Sequence, residues 1–255
     1  MSSDLKNILS RLQRRKVERL EKDSEIYKVM SSVFDSSTLL TLYHLINRSI
    51  FDVFYGVVST GKEANVFCAL DKGGNYVAVK IYRIATSDFN NMRRYLVGDP
   101  RFQRVPQERR GVVYTWGARE FRNLQEAHKA GVPVPKPIEH EKNVLVMEFV
   151  GEEGIPYPIM KDEVPQAPRR TFEKLLEATK TLYKEAELIH SDLSEYNVML
   201  TPDPVIIDLS MGTDIRNPRA DELLMRDLSN LVRYFRKIGL KMLEPVKYFE
   251  EIKGD

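Results

Sequence analysis

The chain has 255 residues, 42% of them hydrophobic and 30% charged, with a formal net charge of +2 at pH 7. That length suits one sizeable core or two lobes; no apolar run approaches the roughly 18 residues of a membrane span, and the polar start is unlike a secretory signal. So small a net charge does not by itself imply nucleic-acid binding. The single cysteine, Cys68, excludes an internal disulfide or a cysteine metal cluster; it suits a reducing, cytoplasmic setting and reads as a small core residue.

Residues 1–50 read as a helical extension packed on the next unit of the chain. Leu5, Ile8, Leu9 and Leu12 share one stripe, and Ile26, Val29, Met30 and Val33 another. A third helix is expected from a Ser36 or Ser37 cap, with Leu39, Leu40, Tyr43 and Ile46 on one face. Two segments are locally basic: Arg11, Arg14, Arg15, Lys16 and Arg19, and later Arg93, Arg94, Arg101, Arg104, Arg109 and Arg110. Interspersed acids make each readable as a solvated face, with contact to RNA phosphate as the other reading.

From Phe54 the pattern changes to strand, turn, strand, with Gly73 and Gly74 marking a hairpin. Gly56, Gly61 and Lys62 fit the Walker pattern G-x-x-x-x-G-K, but Glu63 stands where a metal-binding Ser or Thr belongs, and the β-prone run Ala64 to Leu70 comes next instead of a helix. The stretch Ser59-Thr60-Gly61-Lys62-Glu63-Ala64 lies better over the kinase G-x-G-x-x-G turn, of which only Gly61 is present, with Val66 at the following valine position. Val77-Ala78-Val79-Lys80 matches V-A-I-K. Alternation puts Ala78 and Lys80 on one face and Val77, Val79 and Ile81 on the other.

Lys80 would hold the α and β phosphates, supported by an acid from the next helix: Glu120, or alternatively Glu126. That helix ends at Gly131 and Pro133. Residues 84–115, rich in Arg, Asp and Gln, are expected to be a long mobile loop, a place for partner contact or self-phosphorylation on Thr86, Ser87 or Thr115. Val144 to Gly151 reads as a buried strand running into a lobe connector, with Met147, the Glu148 carbonyl and the Val150 amide as candidates to face adenine. Residues 151–168 should be irregular. Phe172, Leu175, Leu176, Thr179, Leu182, Tyr183 and Ala186 form a helical core stripe.

The stretch Leu188 to Gly212 carries the chemistry. Val198 to Leu200 and Val205 to Ile207 read as two paired strands that bring Asn197 and Asp208 to the same end. Phosphoryl transfer needs a carboxylate to meet the attacking group, and an amide oxygen and second carboxylate to hold Mg²⁺ against the phosphates. His190-Ser191-Asp192, Asn197 and Asp208-Leu209-Ser210 follow the kinase pattern H-R-D-x-x-x-x-N and D-F-G. His190 is expected to brace the loop rather than titrate. After Asp208 there is room for one helix, carrying Leu223, Leu224, Leu228, Leu231, Val232 and Phe235, and a short tail. No A-P-E sequence closes an activation segment.

These motifs in order, VVSTGKEANV above all, resemble the RIO family of atypical kinases, in its subfamily without an N-terminal winged helix, over roughly residues 30–250. The resemblance implies a two-lobed, kinase-like α+β fold: a small antiparallel N-lobe over residues 51–150 and a reduced helical C-lobe over 151–255. It implies ATP with Mg²⁺ or Mn²⁺, phosphate binding by Lys80 and Ser59 to Lys62, catalysis by Asp192, and metal binding by Asn197 and Asp208. It further suggests that Asp208 accepts the γ-phosphoryl group, and that the protein acts as a kinase or ATPase in maturation of the small ribosomal subunit, monomeric off the particle. Competing readings are a small-molecule kinase of the aminoglycoside or choline type and a catalytically silent RNA-binding scaffold.

Overall fold

The computed structural model describes residues 35–85, 89–102 and 104–254. The stripes and basic cluster expected before residue 35, and the hydroxyls of Thr86 and Ser87, lie outside the described residues.

The chain forms two compact units. Of the described residues, one unit holds those up to Asn90 with Pro106–Ala118 and Pro137–Pro156; the other holds those within Asn91–Val105, Arg119–Lys136 and from Tyr157 onward. Residues 91–105 and 119–136, within the expected N-lobe span, therefore group with the later chain.

The first unit begins with helix α1, Ser36–Asn47. Its cap is Asp35 rather than either serine, because one Asp35 carboxylate oxygen accepts from both the Thr38 amide and the Thr38 hydroxyl, at 2.9 and 2.8 Å. Its buried face is also turned from the expected one: Leu39, Leu42 and Leu45 are buried with Thr38 and Thr41, and Leu40 is exposed. The threonines tolerate burial because their hydroxyls are satisfied, Thr41 by the Ser37 carbonyl at 3.0 Å and Thr38 by the Asn143 amide at 2.9 Å.

Strands β1 (Val53–Thr60), β2 (Ala64–Leu70) and β3 (Tyr76–Tyr82) come next. With β4 (Pro137–Glu141) and β5 (Val144–Glu148) they make an antiparallel sheet in the order β1-β2-β3-β5-β4. The expected alternation in β3 holds. Val77, Val79 and Ile81 join Leu42, Leu45, Phe51, Phe54 and Phe67 in one core, whereas Ala78 faces a second cluster with Cys68 and Phe149. A fully buried side chain of this size contributes about 1.5–3 kcal/mol.

The stretch expected as a mobile loop over 84–115 contains helix α2, Phe89–Gly98, and the start of helix α3, Arg109–Lys129. Met92 and Leu96 of α2 are buried, so these residues have a reason to fold. Thr115 sits within α3, its hydroxyl donating to the Gly111 carbonyl at 2.8 Å. Gly117 permits a close approach: a Cβ there would lie 2.9 Å from His140 Nε2.

After β5 comes a small hairpin, β6 (Gly151–Glu152) with β7 (Ile155–Pro156), the regular part of the stretch expected to be irregular. The second unit is then built on α4 (Pro168–Lys184), α5 (Ala220–Lys237) and, where only a short tail was expected, α6 (Pro245–Lys253). Phe172 of α4 stacks edge-on against Phe235 of α5 and Tyr248 of α6, with ring centroids 5.3 and 5.1 Å away.

Candidate active site

In the first unit, strand pairing places Ser59 opposite Val66 and Thr60 opposite Asn65, with the turn Gly61–Glu63 between them, exposed at Gly61 and Lys62. The Gly61 amide donates to the Ala64 carbonyl at 3.0 Å and to Asn65 Oδ1 at 3.3 Å. The Arg83 amide donates to the Glu63 carbonyl at 2.8 Å. Gly61 suits the turn, because a Cβ there would crowd the Ala64 carbonyl oxygen at 3.0 Å. Ser59, Thr60, Gly61 and Lys62 are all exposed.

One face of the sheet gathers several expected nucleotide contacts. Ala78, with Cys68 and Phe149, packs with partly buried Val66, Met147, Tyr55, Val58 and Tyr76. Lys80, 6% exposed, pairs with Val66 across β2 and with Leu145 across β5, and its ammonium lies 5.3 Å from the Tyr82 ring centroid. A buried lysine needs an anionic or π partner to remain charged. Glu148 is exposed and Val150 half-buried just past β5. Glu120 is fully buried on α3. The alternative, Glu126, is committed elsewhere, accepting from Arg101 at 3.2 Å and Arg122 at 2.8 Å.

In the second unit, two short ladders frame the chemistry. Strand β8 (Leu188–Ile189) pairs with β11 (Thr213–Asp214), and β9 (Val198–Met199) pairs with β10 (Val205–Ile206). The loop holding Asp192 runs from β8 to β9, and the turn holding Asp208 runs from β10 to β11, so each is tied at both ends. The Ile207 amide donates to the Asn197 carbonyl at 2.9 Å, which brings Asn197 beside Asp208 as the spacing implied. Asn197 Nδ2 donates to the Asp192 carbonyl at 2.9 Å and to Asp192 Oδ2 at 3.3 Å, so the nitrogen end of its amide is the one committed to the Asp192 loop.

Asp208 takes a left-handed backbone conformation, φ 60°, and its carboxylate accepts from the Ser210 amide at 3.3 Å. Desolvation raises the pKa of Asp192 and the nearby Asp208 charge adds to the rise, while Arg226 and the Asn197 hydrogen bond pull the other way. His190 is buried, with Nε2 3.1 Å from the Ile207 carbonyl, which fixes the proton on that nitrogen. Burial lowers its pKa, so it braces the loop as a neutral ring. Among the described residues no group of three or more His, Cys, Asp or Glu side chains forms a metal site. One carboxylate and one amide oxygen fit Mg²⁺ that takes its other ligands from phosphate and water.

Sequence reasoning missed Asp227. This buried residue of α5 accepts from the Ser191 amide at 2.8 Å and the Leu193 amide at 2.9 Å, one on each carboxylate oxygen. Burial pushes its carboxyl up to about 7 against those two donors. Arg226 donates to the Ser191 carbonyl, and Asn230 Nδ2 donates to that of Leu193 at 3.2 Å. The signal was there: Asp227 lies inside the stripe Leu223, Leu224, Leu228 and Leu231, where an unpartnered carboxylate would be costly.

The RIO domain family matches residues 65–248. The chain belongs to the RIO family of atypical serine/threonine kinases. The RIO-type serine/threonine-protein kinase Rio1 of Haloferax volcanii is 42% identical over 235 residues, 92% of this chain and 80% of that protein. Rio1 of Methanocaldococcus jannaschii is 43% identical over 222 residues, 87% and 76% of the two chains. A Rio2 kinase-ADP/Mg²⁺-phosphoaspartate complex from Chaetomium thermophilum shares the RIO fold, with a TM-score of 0.66 at 17% identity over 100% of this chain and 86% of that one. The architecture is thus two-lobed, kinase-like α+β. The RIO match takes in Lys80, Asp192, Asn197 and Asp208; the exposed turn at Gly61 lies just ahead of it.

Proposed function

We propose that this RIO kinase transfers the γ-phosphoryl group of ATP in the cytoplasm, and that it cycles as an ATPase through an acyl phosphate on Asp208 while acting on precursors of the small ribosomal subunit. The observation that carries the phosphoryl-transfer reading is the backbone hydrogen bond of 2.9 Å from the Ile207 amide to the Asn197 carbonyl, which puts Asn197 beside Asp208, with Asp192 bonded to the Asn197 side chain. The ribosomal part rests on the family resemblance of the VVSTGKEANV stretch.

In this reading Lys80 and the Ser59 to Lys62 turn bind the phosphates, with Glu120 supporting Lys80. Val66, Ala78 and Met147, with the backbone of Glu148 and Val150, receive the adenine. Asn197 and Asp208 hold Mg²⁺ or Mn²⁺, which when bound neutralises charge on the transferring group. An Asp208 oxygen forms a bond to the γ-phosphorus as the bond to the ADP oxygen breaks. Asp192, as a carboxylate, then takes a proton from the water that attacks the acyl phosphate, releasing phosphate and restoring Asp208; with a serine or threonine acceptor it takes the hydroxyl proton instead. The Rio2 complex described as containing phosphoaspartate supports this route.

A chase of γ-labelled ATP with Mg²⁺, alone and with small-subunit precursors, tests the proposal. Hydroxylamine-labile label that is lost in Asp208→Ala, with turnover rising on precursor particles, is the expected result. Acid-stable, hydroxylamine-resistant label on serine or threonine, indifferent to particles, would replace the ATPase cycle with a conventional protein kinase.

A further inference from the structure

The turn after Asp208 is gripped by side chains far from it in sequence. Asn123 Nδ2 donates to the carbonyls of Leu209 and Gly212, each at 2.8 Å. Arg119 donates from Nε to the Gly212 carbonyl at 3.0 Å and from Nη2 to that of Met211 at 3.2 Å. Arg101 adds a third donor to the Gly212 carbonyl at 3.2 Å. Three side chains thus converge on one carbonyl oxygen, four residues beyond Asp208.

The grip is itself fixed. Arg101 Nη2 donates to Asp99 Oδ2 at 2.7 Å and its Nε to Asp99 Oδ1 at 3.0 Å, while Nη1 donates to Asn123 Oδ1 at 2.8 Å. Arg119 lies 3.4 Å from the same Asp99 carboxylate, and the Asp99, Arg101 and Arg119 side chains are only 0%, 3% and 0% exposed. Burial of two arginines and an aspartate is costly unless each is paired, and here each is. Gly212 is required by the closeness of the contact: its φ of −56° suits any residue, but a Cβ would lie 2.8 Å from Asn123 Nδ2 and 3.0 Å from the Leu209 carbonyl oxygen.

We propose that Arg101, Arg119 and Asn123 are positioning residues that hold the Asp208 turn in its metal-binding pose, with the insert between β3 and α3 supplying the Arg101 member. This rests on the reading of Asp208 as a metal ligand. The left-handed Asp208 backbone is a conformation that surrounding contacts must over-determine, and these contacts do so from Leu209 to Gly212. An ion held by one carboxylate and one amide is sensitive to sub-ångström shifts of either.

The test uses the full chain with ADP and a Mn²⁺ titration read by electron paramagnetic resonance, which counts bound ion without turnover. Arg101→Lys keeps the charge but loses the planar fork, Asn123→Leu removes two donors, and Gly212→Ala pushes Asn123 away while leaving the backbone allowed. Each is expected to raise the Mn²⁺ dissociation constant by about 10–100-fold, with metal-free ADP affinity within about twofold of wild type. Partial unfolding lowers the number of sites and leaves their affinity unmoved, so it does not imitate this shift. Wild-type Mn²⁺ affinity in the folded variants, alongside its loss in Asp208→Ala, would overturn the inference alone. Wild-type affinity in Asp208→Ala would instead overturn the metal-ligand reading, and the inference with it.

Discussion

The phosphate turn and the catalytic loop are held in opposite ways. The turn at Gly61 is exposed and fixed by neighbours: Ala64, Asn65 and Arg83, the residue after β3. The loop at Asp192 is braced by side chains from a helix more than thirty residues later, the buried Asp227 with the part-buried Arg226 and Asn230. In the proposed function this is the expected division: a turn that admits and releases a nucleotide takes few restraints, and a loop that positions proton- and metal-handling groups takes many.

The largest expected break in this contrast is at the chemistry. Asp192→Asn should lower kcat by about 10²–10⁴-fold, the usual contribution of a positioned acid or base, while nucleotide affinity measured by fluorescence stays near wild type. An unchanged turnover rate would remove Asp192 from the reaction. Next, Asp227→Ala should destabilise the fold, since it strands the Ser191 and Leu193 amides at about 1–3 kcal/mol for each one left unpaired. Denaturant melting checks this, and a wild-type midpoint would show that the loop does not depend on α5.

A smaller effect is expected on the other side of the contrast. Asn65→Ala removes one hydrogen bond of 3.3 Å from the phosphate turn. It should raise the KM for ATP by between about two- and tenfold, with little change in melting, because such a bond contributes about 0.5–1.5 kcal/mol net. A large loss of stability with KM unchanged would make the turn as restrained as the catalytic loop.

The smallest effect is in pH dependence. His190 has its pKa lowered from 6.5 by burial, so below pH 6.5 the unfolded chain binds a proton that the folded chain refuses. Its contribution to stability is therefore present above pH 6.5 and lost as pH falls toward the lowered folded value. His140, also lowered by burial, adds to the same acid-side decline. In His190→Gln part of that decline should vanish when unfolding is followed between pH 7 and 5, about 0.5 unit above and 1.5 units below the reference pKa. An unchanged slope would show that the ring titrates normally.

Local pattern made much of the fold readable. Alternation in Val77 to Ile81 gave the right faces because a strand has a period of two and its two sides meet different cores. Paired runs around Pro202 gave the ribbon joining Asn197 to Asp208 because its turn is short. In α1 the same reasoning chose the wrong stripe: leucines lie on more than one side, and the structure buries threonines whose hydroxyls find partners. Residues 89–98 were unreadable as a helix because their polarity hid Met92 and Leu96.

By itself, then, the sequence determined the strand faces and the ladder that brings Asn197 beside Asp208, since each depends on residues within a turn or two of one another. Only the tertiary structure decided that Asp227 supports the Asp192 loop, that Glu126 is engaged with Arg101, and that Arg101, Arg119 and Asn123 meet on the Gly212 carbonyl. These are buried polar contacts between distant segments. Their side chains look like ordinary polar surface residues until the fold removes water and leaves them one another and a few backbone groups as partners.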